Sequence, residues 1–467
     1  MLFSSITFIF VFLPVVLGLY YLSPKKFRNA ILLLASIVFY AWGEPKFLFV
    51  MFATILVNYA GTILICKYER YKKVFLALTV ITDLGFLCYF KYADFLLESF
   101  NAVFKTNADI VHVALPLGIS FYTFQAISYT VDVYRGNIKP QENLYKLALY
   151  ITLFPQLIAG PIVKYHDIAE QIDSRVETLD KFYEGLRLFI LGLARKVLIA
   201  NTLGVAVDKI IYEPVSGLTY IEAWLCVICF GFQIYNDFGG YADMAVGLCK
   251  MFGFEIKGNF NFPLLSKSYT EFWHRWHISL GTWVKEYIYI PLGGSRCSTV
   301  RHYFNLFIAF FIIGIWHGAN MNMLMLGLYN AIVVILEKLT GWSNDVTGNF
   351  KKALHHLYMI PVLAVSYFFL RSPDFSYTIS FLKKLFFIDS SAEAKYTIVY
   401  YLSGYEFIIL AVSILGALSI FKNFLKVPFK NNPKTNICVD VCLILLLILS
   451  ISSIAASTYS PFIYFKF

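Results

Sequence analysis

Charge is scarce in this chain of 467 residues. Asp, Glu, Lys and Arg make up 15% of it, where about a quarter is usual for a soluble domain. Hydrophobic residues make up 59%, and the mean hydropathy is +0.66. The interior of a soluble protein of this length cannot absorb that much apolar surface, so the composition predicts an all-α polytopic membrane protein. Acidic residues are the scarcer sign, 29 against 39 basic ones, for a net charge of +10. That excess needs no nucleic acid, because basic loops facing anionic membrane lipid account for most of it. Other absences narrow the chemistry. There is no Gly-x-Ser-x-Gly elbow, no Walker loop and no Gly-x-Gly-x-x-Gly, which removes the standard serine-hydrolase, nucleotide-hydrolysis and dinucleotide sites. There is no repeat, no low-complexity tract and no long polar stretch, so residues 1–467 read as a single membrane domain.

The apolar runs predict spans at Leu2–Leu22, Ala30–Trp42, Phe47–Cys66, Val74–Phe90, Ile110–Val131, Leu147–Val163, Leu186–Val207 and Tyr220–Ile234. Further runs lie at Phe304–Trp316, Met321–Leu336, Tyr358–Leu370, Tyr405–Phe421 and Ile437–Ala456. Several fall short of the roughly 20 residues a perpendicular helix needs, which predicts re-entrant pieces. The first run has no basic residue before it and no small-residue cleavage site after it, so it reads as a retained helix. Lys and Arg gather at 25–28, 67–73, 267–301 and 422–434, which the positive-inside rule assigns to the cytosol. Cys226 and Cys229 are spaced like a redox or metal pair, but no second pair or nearby His completes four ligands. Small residues at helix contacts are the expected role.

His317 stands out. It lies between Leu306–Trp316 and Met321–Leu336, where an ionisable side chain is costly and is by default a functional-site hypothesis. A second cluster, Trp273, His274, Arg275, Trp276 and His277, precedes it in a segment, Asn259 to Arg301, that is rich in aromatics and bases. From Ser266 and Glu271 onward this segment suits an amphipathic helix at the cytosolic interface. Glu271 and His274 form half of a di-iron pattern whose other half is missing, and His274, His277 and His317 lack an accompanying acid, so no metal is expected. The remaining chemistry is a neutral imidazole acting as general base on a hydroxyl that attacks an acyl carbon. Around His317, Gly314, Gly318 and Ala319 leave room for substrate, and Asn320 is expected to donate a hydrogen bond. The competing reading is a buried histidine satisfied by a carbonyl. Asp237 and Asp243 read as packing residues near a helix end.

Eight segments resemble the membrane-bound O-acyltransferase family, closest to its branch of alginate O-acetyltransferase membrane subunits. They are Leu115–Gln125 (LPLGISFYTFQ), Asp132–Arg135 (DVYR), Phe154–Ile162 (FPQLIAGPI), Asp237–Ala245 (DFGGYADMA), Asn259–Pro263 (NFNFP), Glu271–Leu280 (EFWHRWHISL), Tyr289–Gly294 (YIPLGG) and Ile315–Ala319 (IWHGA). The resemblance implies a ring of tilted transmembrane helices with re-entrant segments around a central tunnel, in the cell membrane of a bacterium. It implies catalytic roles for His317, as base, and for His277, which orients or polarises the thioester side. It also implies substrate contacts from Trp273, His274, Arg275, Trp276, Trp316 and Asn320. The implied reaction is membrane O-acetylation, from acetyl-CoA as cytosolic donor with no bound cofactor. The acetyl group goes to hydroxyls of an extracytoplasmic polysaccharide or to an SGNH-hydrolase-like partner acetyltransferase. Lys267, Arg275, Lys285, Arg296 and Arg301 are the pool for coenzyme A phosphates, or else interfacial anchors. Pro291–Gly294 favours acetyl over the D-alanyl transfer of teichoic-acid relatives. A glycan or lipid transporter, and a scaffold for a soluble acetyltransferase, are the alternatives from other classes.

Overall fold

The computed structural model describes residues 1–344, 347–388, 395–418 and 433–456. The end of the expected span Tyr405–Phe421, and Lys422, Lys426 and Lys430 of the last basic cluster, lie outside them. Every regular element among the described residues is helical. The principal ones, in chain order, are α1 Phe8–Leu22, α2 Arg28–Ala41, α3 Leu48–Lys67, α4 Lys72–Phe104, α5 Ile119–Tyr134, α6 Leu144–Thr152, α7 Phe154–Leu157, α8 Tyr165–Ser174 and α9 Leu179–Ile211. After these come α10 Tyr220–Met251, α11 Tyr269–Arg275, α12 Ile278–Val284, α13 Thr299–His317, α14 Met321–Thr340, α15 Asn349–Arg371, α16 Phe375–Leu385, α17 Gly404–Ala417 and α18 Pro433–Ala456. Seven of them, α3, α4, α9, α13, α14, α15 and α18, are long and apolar enough to cross a bilayer. The chain is thus an all-α polytopic membrane protein, as its composition predicts.

The described residues group into two compact units, one of Met1–Leu186 with Ala245–Lys257, the other of Arg187–Met244 with Gly258 onward. In the first, Phe3, Phe8, Phe12, Phe39 and Phe154 pack ring against ring, with centroids 5.0–6.3 Å apart. Two expected spans are broken there. Residues 110–117 are not helical, and α5 starts only after Gly118, whose φ of +75° L side chains rarely adopt. A Cβ on Gly118 would also sit 2.7 Å from the Leu157 carbonyl oxygen, so this turn requires glycine. The helix of the run Leu147–Val163 is interrupted at Leu153 (ψ 108°), between α6 and α7, just ahead of Pro155. The freed Tyr150 carbonyl is satisfied by the buried Gln156 amide at 2.6 Å.

In the second unit, Asp237 and Asp243 are not near a helix end as expected. They lie inside α10, which continues well past Ile234, and are neutralised by a π-helical turn of α9 over Arg195–Ala200. Lys196 pairs with Asp237 at 2.6 Å, both side chains almost wholly buried, and Arg195 pairs with Asp243. Cys226 and Cys229 are buried, unbridged thiols in the core. α13 and α14 run back to back through a contact of two glycines: a Cβ on Gly314 would lie 2.5 Å from the Gly327 Cα.

Candidate active site

The site is built where the expected amphipathic helix is interrupted. Ser268, not Ser266, caps α11, its hydroxyl accepting from the Glu271 amide at 3.1 Å. The helix then ends at Arg275, because His277 takes a left-handed conformation (φ +44°) before α12 begins. That conformation costs free energy for a residue with a side chain. It is held by a distant segment: Asn261 N–H donates to the Arg275 carbonyl, and Ile278 N–H to the Asn259 carbonyl, each at 2.9 Å. The Asn259 side-chain oxygen accepts from Ser279 N–H at 3.0 Å. The same amide group lies against His277 Nδ1, its nitrogen 3.2 Å and its oxygen 3.4 Å away.

A carboxylate fixes the other end of α11. Glu337 of α14, almost fully buried, accepts from Tyr269 N–H (2.6 Å), Thr270 N–H (2.8 Å) and the Thr270 hydroxyl (2.7 Å). It supplies the acceptors that the first turn of α11 lacks and favours its positive dipole end.

His277 is 1% exposed, edge-on to Phe238 at 4.8 Å and to Trp316 at 5.8 Å. Burial pushes its imidazole well below the usual histidine range, and His317 nearby pushes the same way, so it is neutral at pH 7. His317, the last residue of α13, also packs against Trp316, with ring centroids 5.2 Å apart. It lines a narrow cavity walled by Ile234, Phe238, Phe272, Trp273, Trp276, Leu326 and Leu370. Asn330, Ser366 and Tyr367 complete the lining.

Of the residues singled out from sequence, His317, Trp273 and Trp276 meet at this cavity, and His277 and Trp316 pack beside them. The other three do not join them. His274 is exposed, its imidazole pushed below the ordinary value by burial, then by Lys285 and Lys338. Arg275 pairs with Glu271 at 2.7 Å and reaches the Asn261 carbonyl at 3.3 Å. Asn320 is exposed and spends its side-chain oxygen on capping α14, accepting from Met323 N–H at 3.0 Å. Arg301 donates to the Leu292 carbonyl and to Asn305. Sequence reasoning missed Asn330, Ser366, Tyr367 and Glu337. Asn330 and Glu337 had a signal, since a polar residue inside or at the edge of an apolar run raises the question His317 raised. Ser366 and Tyr367 had none. Among the described residues no group of three or more His, Cys, Asp and Glu is arranged to hold a metal ion.

Residues 140–370, which contain both histidines and the whole cavity, match the family model of the membrane-bound O-acyltransferases. A probable alginate O-acetylase AlgI of Pseudomonas putida is 36% identical over the full length of both chains. One of Pseudomonas syringae pv. tomato is 44% identical over 350 residues, 73% of this chain and 67% of that protein. A peptidoglycan O-acetyltransferase of Helicobacter pylori is 34% identical over 372 residues, 72% of this chain and 70% of that protein. With its multi-pass helices and its two histidines placed by α11–α13, this chain belongs to the membrane-bound O-acyltransferase family and is an acyltransferase of the bacterial membrane.

Proposed function

We propose that the chain transfers an acetyl group from a cytosolic thioester, acetyl-CoA, to hydroxyls of an extracytoplasmic polysaccharide, directly or through a partner acetyltransferase of the SGNH-hydrolase type. The observation that carries this reading is the His317 imidazole at the end of α13, lining a cavity whose other walls are mostly aromatic and aliphatic. The similarity to alginate O-acetylases and to a peptidoglycan O-acetyltransferase supports an envelope polymer as acceptor.

In this mechanism the His317 imidazole takes the proton of the attacking hydroxyl as its oxygen bonds to the acetyl carbon. The tetrahedral intermediate then expels the thiolate, which recovers the proton from the imidazolium. Trp273 and Trp276 keep water from the thioester, so that transfer outruns hydrolysis. His277, buried and neutral against Trp316, holds that ring in place on the donor side. Lys285 and Lys338, close enough to lower the basicity of His274, form beside it a cationic surface suited to the donor's phosphates.

The test uses the full-length protein in proteoliposomes with radiolabelled acetyl-CoA and a soluble polysaccharide or purified partner as acceptor. Wild-type protein is expected to move label, and His317→Ala to do so about 10²–10⁴-fold more slowly while staying folded. Near-normal transfer by a folded His317→Ala protein would remove His317 as the base.

A further inference from the structure

The buried polar atoms of the cavity's lining include two donors that the fold does not use. The Asn330 amide nitrogen on α14 and the Tyr367 hydroxyl on α15 are both buried, and neither has a hydrogen-bond partner among the described residues. Asn330 is wholly buried and Tyr367 is 5% exposed. Buried donors of this kind are costly to leave unpaired, and most are satisfied.

The orientation of the Asn330 amide is fixed from behind. Its side-chain oxygen accepts from the Tyr269 hydroxyl at 2.6 Å, and that hydroxyl also lies 2.8 Å from the Ser366 hydroxyl. Tyr269 is anchored in turn at its backbone by Glu337. The chain Glu337, Tyr269, Asn330 therefore leaves the amide N–H groups, not the oxygen, for whatever enters the cavity. The Tyr367 ring is set by contact with Phe230, Phe272 and Trp276. Two oriented donors share an otherwise apolar space with the base. A transition state that develops negative charge on oxygen calls for that arrangement.

We infer that Asn330 Nδ2 and Tyr367 Oη are the donors that take up the acyl carbonyl oxygen as it becomes an oxyanion. This deepens the reading of His317 as base and rests on it. As the hydroxyl oxygen bonds to the acyl carbon and its proton passes to His317, the carbonyl π pair moves onto oxygen, where the two donors receive it. The pair returns as the carbon–sulfur bond breaks, and the thiolate leaves with the proton from His317. The donors stay in place throughout, so no reorganisation accompanies the charge movement.

The experiment measures kcat and KM for acetyl transfer by full-length wild-type, Tyr367→Phe and Asn330→Asp proteins in proteoliposomes, with thermal unfolding of each. Tyr367→Phe deletes only an oxygen that bonds nothing in the fold, so it tests the idea without disturbing the core. Asn330→Asp keeps the acceptor for Tyr269 and removes the N–H groups. Both are expected to lower kcat by about 10²–10³-fold, with KM for the thioester within about twofold of wild type. Transfer by the wild-type protein, together with undiminished kcat in both variants, overturns this inference alone. No transfer by the wild-type protein overturns the acetyl-transfer reading and this inference with it. A loss of kcat in one variant only leaves that residue as a single donor and overturns the pair.

Discussion

Gly314→Ala tests how closely the site depends on helix packing. The added Cβ would fall 2.5 Å from the Gly327 Cα, 2.6 Å from its nitrogen and 2.6 Å from the Met323 carbonyl oxygen. All three are backbone atoms, so no side chain can rotate away. Ordinary contact begins near 3.4 Å, and α13 and α14 must separate by roughly 1 Å at this point. Overpacking on that scale costs about 1–3 kcal/mol. The displaced region carries the chemistry, since His317 lies three residues beyond Gly314 and Asn330 three beyond Gly327. A shift of about 1 Å between reacting groups is enough to lower the rate by about 10²-fold. The assay is thermal unfolding of the detergent-solubilised protein alongside acetyl transfer. The control is Gly85→Ala in α4, where nothing lies within 4 Å of the new Cβ. There the same substitution removes a helix-weakening glycine and is expected to stabilise by about 0.5–1 kcal/mol. If Gly314→Ala melts with the wild type and transfers at its rate, the close approach of α13 and α14 does not hold the site.

Two further predictions follow from the buried polar groups. Glu337→Gln replaces one of two accepting oxygens with a donor, leaving a backbone N–H of Tyr269 or Thr270 unpaired. It should destabilise by about 1–3 kcal/mol, and an unchanged unfolding temperature would count against the anchoring of α11. His277 sets a pH dependence. Its folded pKa lies well below the ordinary 6.5. As pH falls below 6.5 the unfolded chain therefore takes up a proton that the folded protein refuses, and stability declines toward acid. The loss is about 1.4 kcal/mol per pH unit until the folded value is reached. His277→Gln should lack this component, so its unfolding temperature should fall less than that of the wild type between pH 7 and 5; parallel profiles would refute the assignment.

The spans were legible because a helix in lipid must be apolar wherever it is not covered by protein. The same rule explains where the reading stopped short. α10 runs on beyond Ile234 through Asp237 and Asp243, whose charges are met by Lys196 and Arg195 from a helix some forty residues earlier. No local pattern contains that pairing. The break at His277 was likewise invisible, because the segment from Asn259 to Asn261 makes it and not the residues on either side. His317 could be read from its apolar surroundings alone. Asn330 met the same criterion and was passed over, while Tyr367 looks like any other aromatic in a hydrophobic helix. Asn320 and His274 lie close to the two histidines in sequence yet not at the cavity, since one serves as a helix cap and the other faces outward.

The buried cluster of Asp83, Asn58 and Thr130 bears on how the chain enters the membrane in the first place. Asn58 of α3 donates to the Asp83 carboxylate of α4 at 2.9 Å, and Thr130 of α5 donates to the Asn58 side-chain oxygen at 2.6 Å. An aspartate at the centre of a segment costs about 2.5–3.5 kcal/mol when the translocon releases it alone. During synthesis α3 precedes α4, so the amide that accepts this burden is already waiting when Asp83 emerges. That hydrogen bond favours α3 and α4 entering the bilayer together as a hairpin, ahead of α5. Asn58→Leu makes α3 more lipid-soluble yet leaves Asp83 to partition unaided, so the defect it produces should surface in α4, as failed integration on the ribosome.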